Sequence, residues 1–162
     1  MNNLLLESLN NYYDNTKLEY LKDILNSSSI SLRVIDWFVT NYSKKFNTEY
    51  QLKSEQLNVY ISYKSQLKSY SKKFFDPFCR RNRINYKHYL STTIGQLNFF
   101  KWAFTHGIIE YVVEHYVEIE HDMNTSMKKN NNNTNRKKRK ELSKSSYKTL
   151  TKRNNKIIVT FD

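Results

Sequence analysis

The chain has 162 residues, 27 Lys/Arg against 15 Asp/Glu, and a formal net charge of +12; its one cysteine, Cys79, excludes an internal disulfide and any Cys-based zinc finger within a single chain. With 2 glycines and 1 proline, an all-β sandwich or barrel is disfavoured, because tight β-turns lean on both residues. No apolar run approaches the roughly 18–20 residues that span a bilayer, and the N-terminus lacks a basic n-region and a small-residue cleavage site, so the expectation is a soluble intracellular protein with no membrane partner.

Residues 3–26 carry Leu5, Leu6 and Leu9, then Leu18, Leu21 and Leu25 at helical spacing, and the Asn/Asp cluster at 10–15 predicts a break into two short helices. In the next stretch Leu32, Ile35, Phe38, Val39 and Tyr42 recur on one helical face, with Ser29 or Ser31 as N-cap and Lys44 and Lys45 at the C-terminal dipole. Residues 56–90 carry two patterns. Val59, Ile61 and Tyr63 alternate as in a strand, while Tyr63, Leu67, Tyr70 and Phe74 follow a helical period that ends at Asp76-Pro77. Ile84 and Tyr86 alternate again and are expected to pair with the 59–63 strand.

Thr93-Ile94-Gly95-Gln96 opens a helix over 93–105 as a capping box, and Gly107 closes it as an αL cap. A further helix over 108–121 places Ile109, Val112, Val113, Tyr116 and Val117 on one side and Glu110, Glu114 and Glu118 opposite. Residues 122–156 lack an apolar period and read as a disordered linker. The final Lys156-Ile157-Ile158-Val159-Thr160-Phe161 has high β propensity and reads as a strand that docks on the body or adds to a partner's sheet edge. The fold class is thus mainly α (α+β): one small helical domain at 1–127 with a two- or three-stranded sheet, a disordered basic arm at 128–155, and a terminal strand at 156–162.

Charge is divided unevenly. From Lys128 to Asp162 there are 12 Lys/Arg against Glu141 and Asp162, a net of +10, so the body is nearly neutral. Within the body, the 25 residues from Lys64 to His88 hold Lys64, Lys68, Lys72, Lys73, Arg80, Arg81, Arg83 and Lys87 against Asp76 alone. Cations interleaved with Tyr63, Tyr70, Phe74, Phe75, Phe78, Tyr86 and Tyr89 suit a surface that meets phosphates and stacks bases; the alternative is a solvated Lys face over core aromatics. Arg80 and Arg81 are the preferred phosphate ligands, since a guanidinium binds phosphate bidentately. In the arm, Arg136-Lys137-Lys138-Arg139-Lys140 reads as a nuclear localisation signal, a nonspecific nucleic-acid arm or a solubilising tail.

Other constellations carry less. The outline of helix, Gly107 turn and helix resembles a helix-turn-helix, but Glu110, Glu114 and Glu118 on the second helix would repel phosphate, so packing is the reading there. His115, Glu118 and His121 do not have the spacing of a zinc-binding HExxH helix. Gly95 and Gly107 cannot supply a GxGxxG or a P-loop, and Cys79 has only His88 nearby in sequence as a base. No catalytic residue, cofactor or metal is expected.

The segments LRVIDWFVTNYSKK (32–45), YKSQLKSYSKKFFDPFCRR (63–81) and TTIGQLNFFKWAFTHGIIEYV (92–112), with the ending IIVTFD, resemble uncharacterised small basic proteins of giant nucleocytoplasmic large DNA viruses of the mimivirus kind. The resemblance covers roughly residues 30–121 and the last six. It implies a viral setting, either the virion or a cytoplasmic virus factory, with the 136–140 cluster offering a nuclear address. It transfers no catalytic residue. The expected partner is nucleic acid, DNA in preference to RNA, bound without sequence preference. The alternative is a structural virion protein whose arm grips an acidic viral protein.

Overall fold

Helix α6, Ile94–Thr105, runs through the centre of the fold, with residues 95–100, Trp102 and Ala103 buried. A helix apolar on nearly every side is one that neighbours cover on nearly every side. The computed structural model describes residues 2–26, 30–52 and 55–132. In chain order these form α1 (Asn2–Tyr12), α2 (Asn15–Asn26), α3 (Leu32–Trp37), a π-helical turn (Phe38–Tyr42), α4 (Ser43–Lys45), β1 (Glu49–Leu52), β2 (Glu55–Asn58), α5 (Val59–Phe74), β3 (Ile84–Tyr86), β4 (Leu90–Thr92), α6, α7 (Ile108–Glu114) and α8 (Tyr116–Asn132). The chain divides into Met1–Ser126 and Met127–Asp162, and α8 enters the second unit as far as Asn132.

The mainly helical class with minor sheet stands. α1, α5 and α7 all pack on α6, and α3 packs on α7. Phe75, Phe99, Phe100 and Trp102 make an aromatic core with ring centroids 5.2–5.7 Å apart. Burying each such side chain stabilises the fold by roughly 1.5–3 kcal/mol. Tyr63 joins the cluster, and burial, then the carboxylates of Asp36 and Asp76, push its hydroxyl up to about 12.

Local signals explain most boundaries. α1 and α2 break at Tyr13-Asp14, and Asp14 accepts from the Lys17 amide at 2.8 Å. Ser31 caps α3 by accepting from Arg33 N. Thr40 Oγ1 donates to the Asp36 carbonyl at 2.6 Å, and the Ser43 amide reaches back five residues to Phe38 O. The helix widens there into a π turn, a feature common at functional sites. Gly107 sits at φ 64°, the left-handed conformation that ends α6. Ile108, Ile109 and Val112 are buried and Glu110 exposed, as packing rather than groove insertion requires.

Four expectations are corrected. Residues 59–63 are the first turns of α5, not a strand: Asn58 caps the helix by accepting from Ile61 N, and Val59 and Tyr63 are buried while Ile61 is 66% exposed. Burial at i and i+4 with exposure between them is helical. β3 therefore pairs with β4, and among the described residues there are two antiparallel strand pairs, β1–β2 and β3–β4, instead of one sheet. The 108–121 helix ends at His115, whose amide caps α7 on Tyr111 O, and α8 restarts at Tyr116. Residues 122–132, assigned by composition to the linker, continue α8; Ile119 and Met123 are buried one turn apart, and Asp122 accepts from Trp37 Nε1 at 3.0 Å and pairs with Lys45. The rest of the 128–155 arm and the 156–162 strand lie outside the described residues.

Candidate nucleic-acid interface

The basic segment is shaped by a break in α5. Ser71 has φ 56° and ψ 170°, a conformation close to the region reserved for glycine, so the turn Lys72-Lys73-Phe74 leaves the line of the preceding helix. Such a residue costs on the order of 1–3 kcal/mol, and surrounding contacts must hold it.

Those contacts come from the start of α6. Phe74 O accepts from Asn98 Nδ2 at 2.9 Å, Asp76 N donates to Gly95 O at 3.2 Å, and Gln96 Nε2 donates to Pro77 O at 2.8 Å. Thr92 Oγ1 donates to Gln96 Oε1 at 2.8 Å. The expected capping box is therefore half present: Thr93 accepts from Gln96 N, but the Gln96 side chain is turned toward the loop. A Cβ on Gly95 would stand 3.1 Å from Lys73 O and 3.3 Å from Phe74 C, so glycine permits this approach of α5 to α6.

The loop that follows is organised by Asp76. Its carboxylate takes Arg80 Nε at 3.0 Å and Nη2 at 2.9 Å, and the Phe78 amide at 3.2 Å. A cleft of about 510 Å³ opens between the end of α5, this loop, β3 and the start of α6. Lys73, Arg80, Arg81 and Asn82 line it with polar groups, Phe74, Ile84 and Ile94 with half-buried apolar ones, and no Asp or Glu is among its lining residues. Thr93, Ile94 and Gly95 at the positive end of α6 form one wall. None of the ion pairs among the described residues engages Lys73 or Arg81.

A second cavity, about 290 Å³, lies on the other side of the Asp76–Arg80 pair, against the π turn. Asp36, Thr40, Tyr63 and Lys72 line it with that pair. Burial first, and Asp76 second, hold the Asp36 carboxyl above the usual carboxylate range, against the pull of Arg80 and Lys72.

The expected site residues separate into groups. Lys73, Arg80 and Arg81 meet at the cleft, with Arg80 shared by both cavities. Lys72 lines the Asp36 cavity. Lys64 and Lys68 lie along an exposed trough of α5 with Ile61 and Leu67. Arg83 is exposed just before β3. Lys87, in the β3–β4 turn at φ 50°, donates through Nζ to the carbonyls of Tyr13 and Asn10 and ties the hairpin to α1. Arg136, Lys137, Lys138, Arg139 and Lys140 lie outside the described residues. Of the interleaved aromatics, Tyr63, Phe75 and Tyr86 are core, while Phe74 and Phe78 are half-buried and Tyr89 is exposed. The sequence reading missed Asn82, Ile84, Ile94 and Gly95, and charge patterning held no signal for them.

No solved structure matches the chain. It is 44% identical over 141 residues to "Uncharacterized protein L507" of Acanthamoeba polyphaga mimivirus, covering 79% of this chain and 54% of the relative. The chain thus spans about half the length of that curated relative, and the resemblance to giant-virus proteins stands. A family model described as a family of unknown function, DUF7197, matches residues 2–162, and the chain belongs to that family.

Proposed function

We propose that the protein binds nucleic acid without sequence preference, with DNA as the expected partner, in a viral factory or particle. The observation that carries this reading is the cleft in which Lys73 and Arg81, outside every ion pair of the described residues, meet Arg80, whose guanidinium Asp76 holds from outside the lining. The body outside the 64–88 segment has an excess of acidic residues, so this concentration is not a diffuse property of the chain. Cations gathered on one rim displace counterions from phosphates, and a basic arm adds long-range attraction.

The 162-residue chain titrated with duplex DNA in a salt series tests the reading. With 6–10 phosphate contacts, affinity is expected to fall by about 10³–10⁵ between 50 and 200 mM salt. Replacing Lys73 and Arg81 together by alanine is expected to flatten that slope by about two contacts. Salt-independent binding, or a double variant with the wild-type slope, overturns it.

A further inference from the structure

The cleft has two kinds of surface. Its rim is Lys73, Arg80, Arg81 and Asn82, while Phe74, Ile84 and Ile94 form an apolar floor. A rim alone serves a duplex, whose phosphates lie outside and whose base faces are closed in the stack. A concave apolar floor adds nothing to such a partner. An unstacked nucleotide has both complements: a flat base with an apolar face, and a phosphate at a fixed distance from it.

The dimensions and placement agree. A volume of about 510 Å³ lies within the roughly 300–1,000 Å³ of small-ligand pockets. Lys73 Nζ lies over the Phe74 ring, 5.2 Å from its centroid, so cation and ring reach the cleft together. The Asn82 amide offers donor and acceptor to a base edge. The floor is also pre-set, because Asn98 and Gln96 hold the Phe74–Pro77 backbone against α6 before any ligand arrives. We propose that the cleft takes one unstacked nucleotide of a single-stranded nucleic acid, with its base against Phe74, Ile84 and Ile94 and its phosphate on Lys73 and Arg81. This rests on the nucleic-acid reading above and makes a single strand the preferred form at this site.

The test compares four probes on the full chain: a thymidine oligonucleotide, an abasic strand of equal length, a duplex of equal phosphate count, and thymidine monophosphate. The thymidine strand is expected to bind about 5- to 160-fold tighter than the abasic strand, the range of one stacked base. It is also expected to bind tighter than the duplex. Phe74→Leu is expected to remove the difference between thymidine and abasic strands, and Ile94→Ser and, separately, Ile84→Ser to reduce it; variants on three different elements guard against one misfolding. Equal binding of thymidine and abasic strands, with Arg81→Ala weakening both, overturns the nucleotide assignment and leaves the phosphate reading standing. Arg81→Ala with wild-type affinity for every probe overturns both. Monophosphate binding as tight as the strand makes the ligand a free nucleotide and overturns the assignment to a strand.

Discussion

Asp76 holds Arg80 in a two-point grip, Nε to Oδ2 at 3.0 Å and Nη2 to Oδ1 at 2.9 Å, with the Asp76 side chain 11% exposed and the Arg80 side chain 61% exposed. Adjacent arginines that look equivalent in sequence are thereby divided. Arg80 is engaged by the fold, and Arg81 presents its charge to the cleft. Arg81→Ala is expected to weaken nucleic-acid binding more than Arg80→Ala. Asp76→Ala is expected to lower stability by about 1–3 kcal/mol, since the Phe78 amide and Arg80 both lose their acceptor. Urea unfolding read beside binding titrations separates the two effects.

Gly95→Ala has an expected sign opposite to that of an ordinary helix position. Alanine in a helix interior normally stabilises by about 1 kcal/mol over glycine. Here the new Cβ meets the backbone of Lys73 and Phe74 at 3.1 and 3.3 Å, atoms that cannot swing aside. A net loss of about 1–3 kcal/mol is expected, with weaker nucleic-acid binding as the end of α5 is pushed from α6. An unchanged or higher urea midpoint would count against the geometry.

Ser71→Gly also reverses the usual rule. Glycine mid-helix ordinarily destabilises by about 0.5–1 kcal/mol. At φ 56° and ψ 170° it relieves a conformation that costs serine about 1–3 kcal/mol. The expected outcome is equal or greater stability, by up to about 1 kcal/mol, whereas Ser71→Ala leaves the strain in place and gains nothing. Thermal unfolding of the two variants side by side gives the comparison.

Asp36 links stability to pH. Burial, then Asp76, raises its pKa above the ordinary value of 3.8. The folded state therefore holds this proton more tightly than the unfolded chain. Its contribution favours folding at low pH and is lost as pH rises through 3.8 and on through the folded value. Asp36→Asn removes that loss, so the stability of the variant relative to wild type is expected to be greater at pH 7 than at pH 3.5. Equal differences at the two pH values would show that Asp36 does not titrate in this way.

What the sequence made legible follows from how each element is stabilised. The 32–42 helix was readable because Ile35, Phe38 and Val39 are fully buried on one face, although the π turn within it depends on a Thr40 hydroxyl that leaves no periodic trace. α6 was readable from its apolar face and from Thr93. The 59–63 alternation misled because Ile61 is apolar yet exposed, and the Asn58 cap decides the outcome. β1–β2 had no signature, as Glu49, Gln51, Glu55 and Gln56 make it polar and exposed. α8 was hidden by a polar sequence anchored at few points. At the cleft, cation clustering was visible in order along the chain. The apolar floor was not, since Phe74 is brought to Ile84 and Ile94 by a left-handed serine that nothing in the composition marks.

The Tyr13 hydroxyl donates to Leu97 O at 2.7 Å across a sequence separation of 84, and Lys87 and Lys101 reach back to α1 as well. α1 leaves the ribosome well before its partners, which are encoded near the other end of the body. Leu5, Leu9 and Tyr13, buried in the finished protein, must wait uncovered until α6 is made. Maturation of the nascent body is thus gated by its last third, and a chain halted before residue 97 leaves the apolar face of α1 uncovered and adhesive.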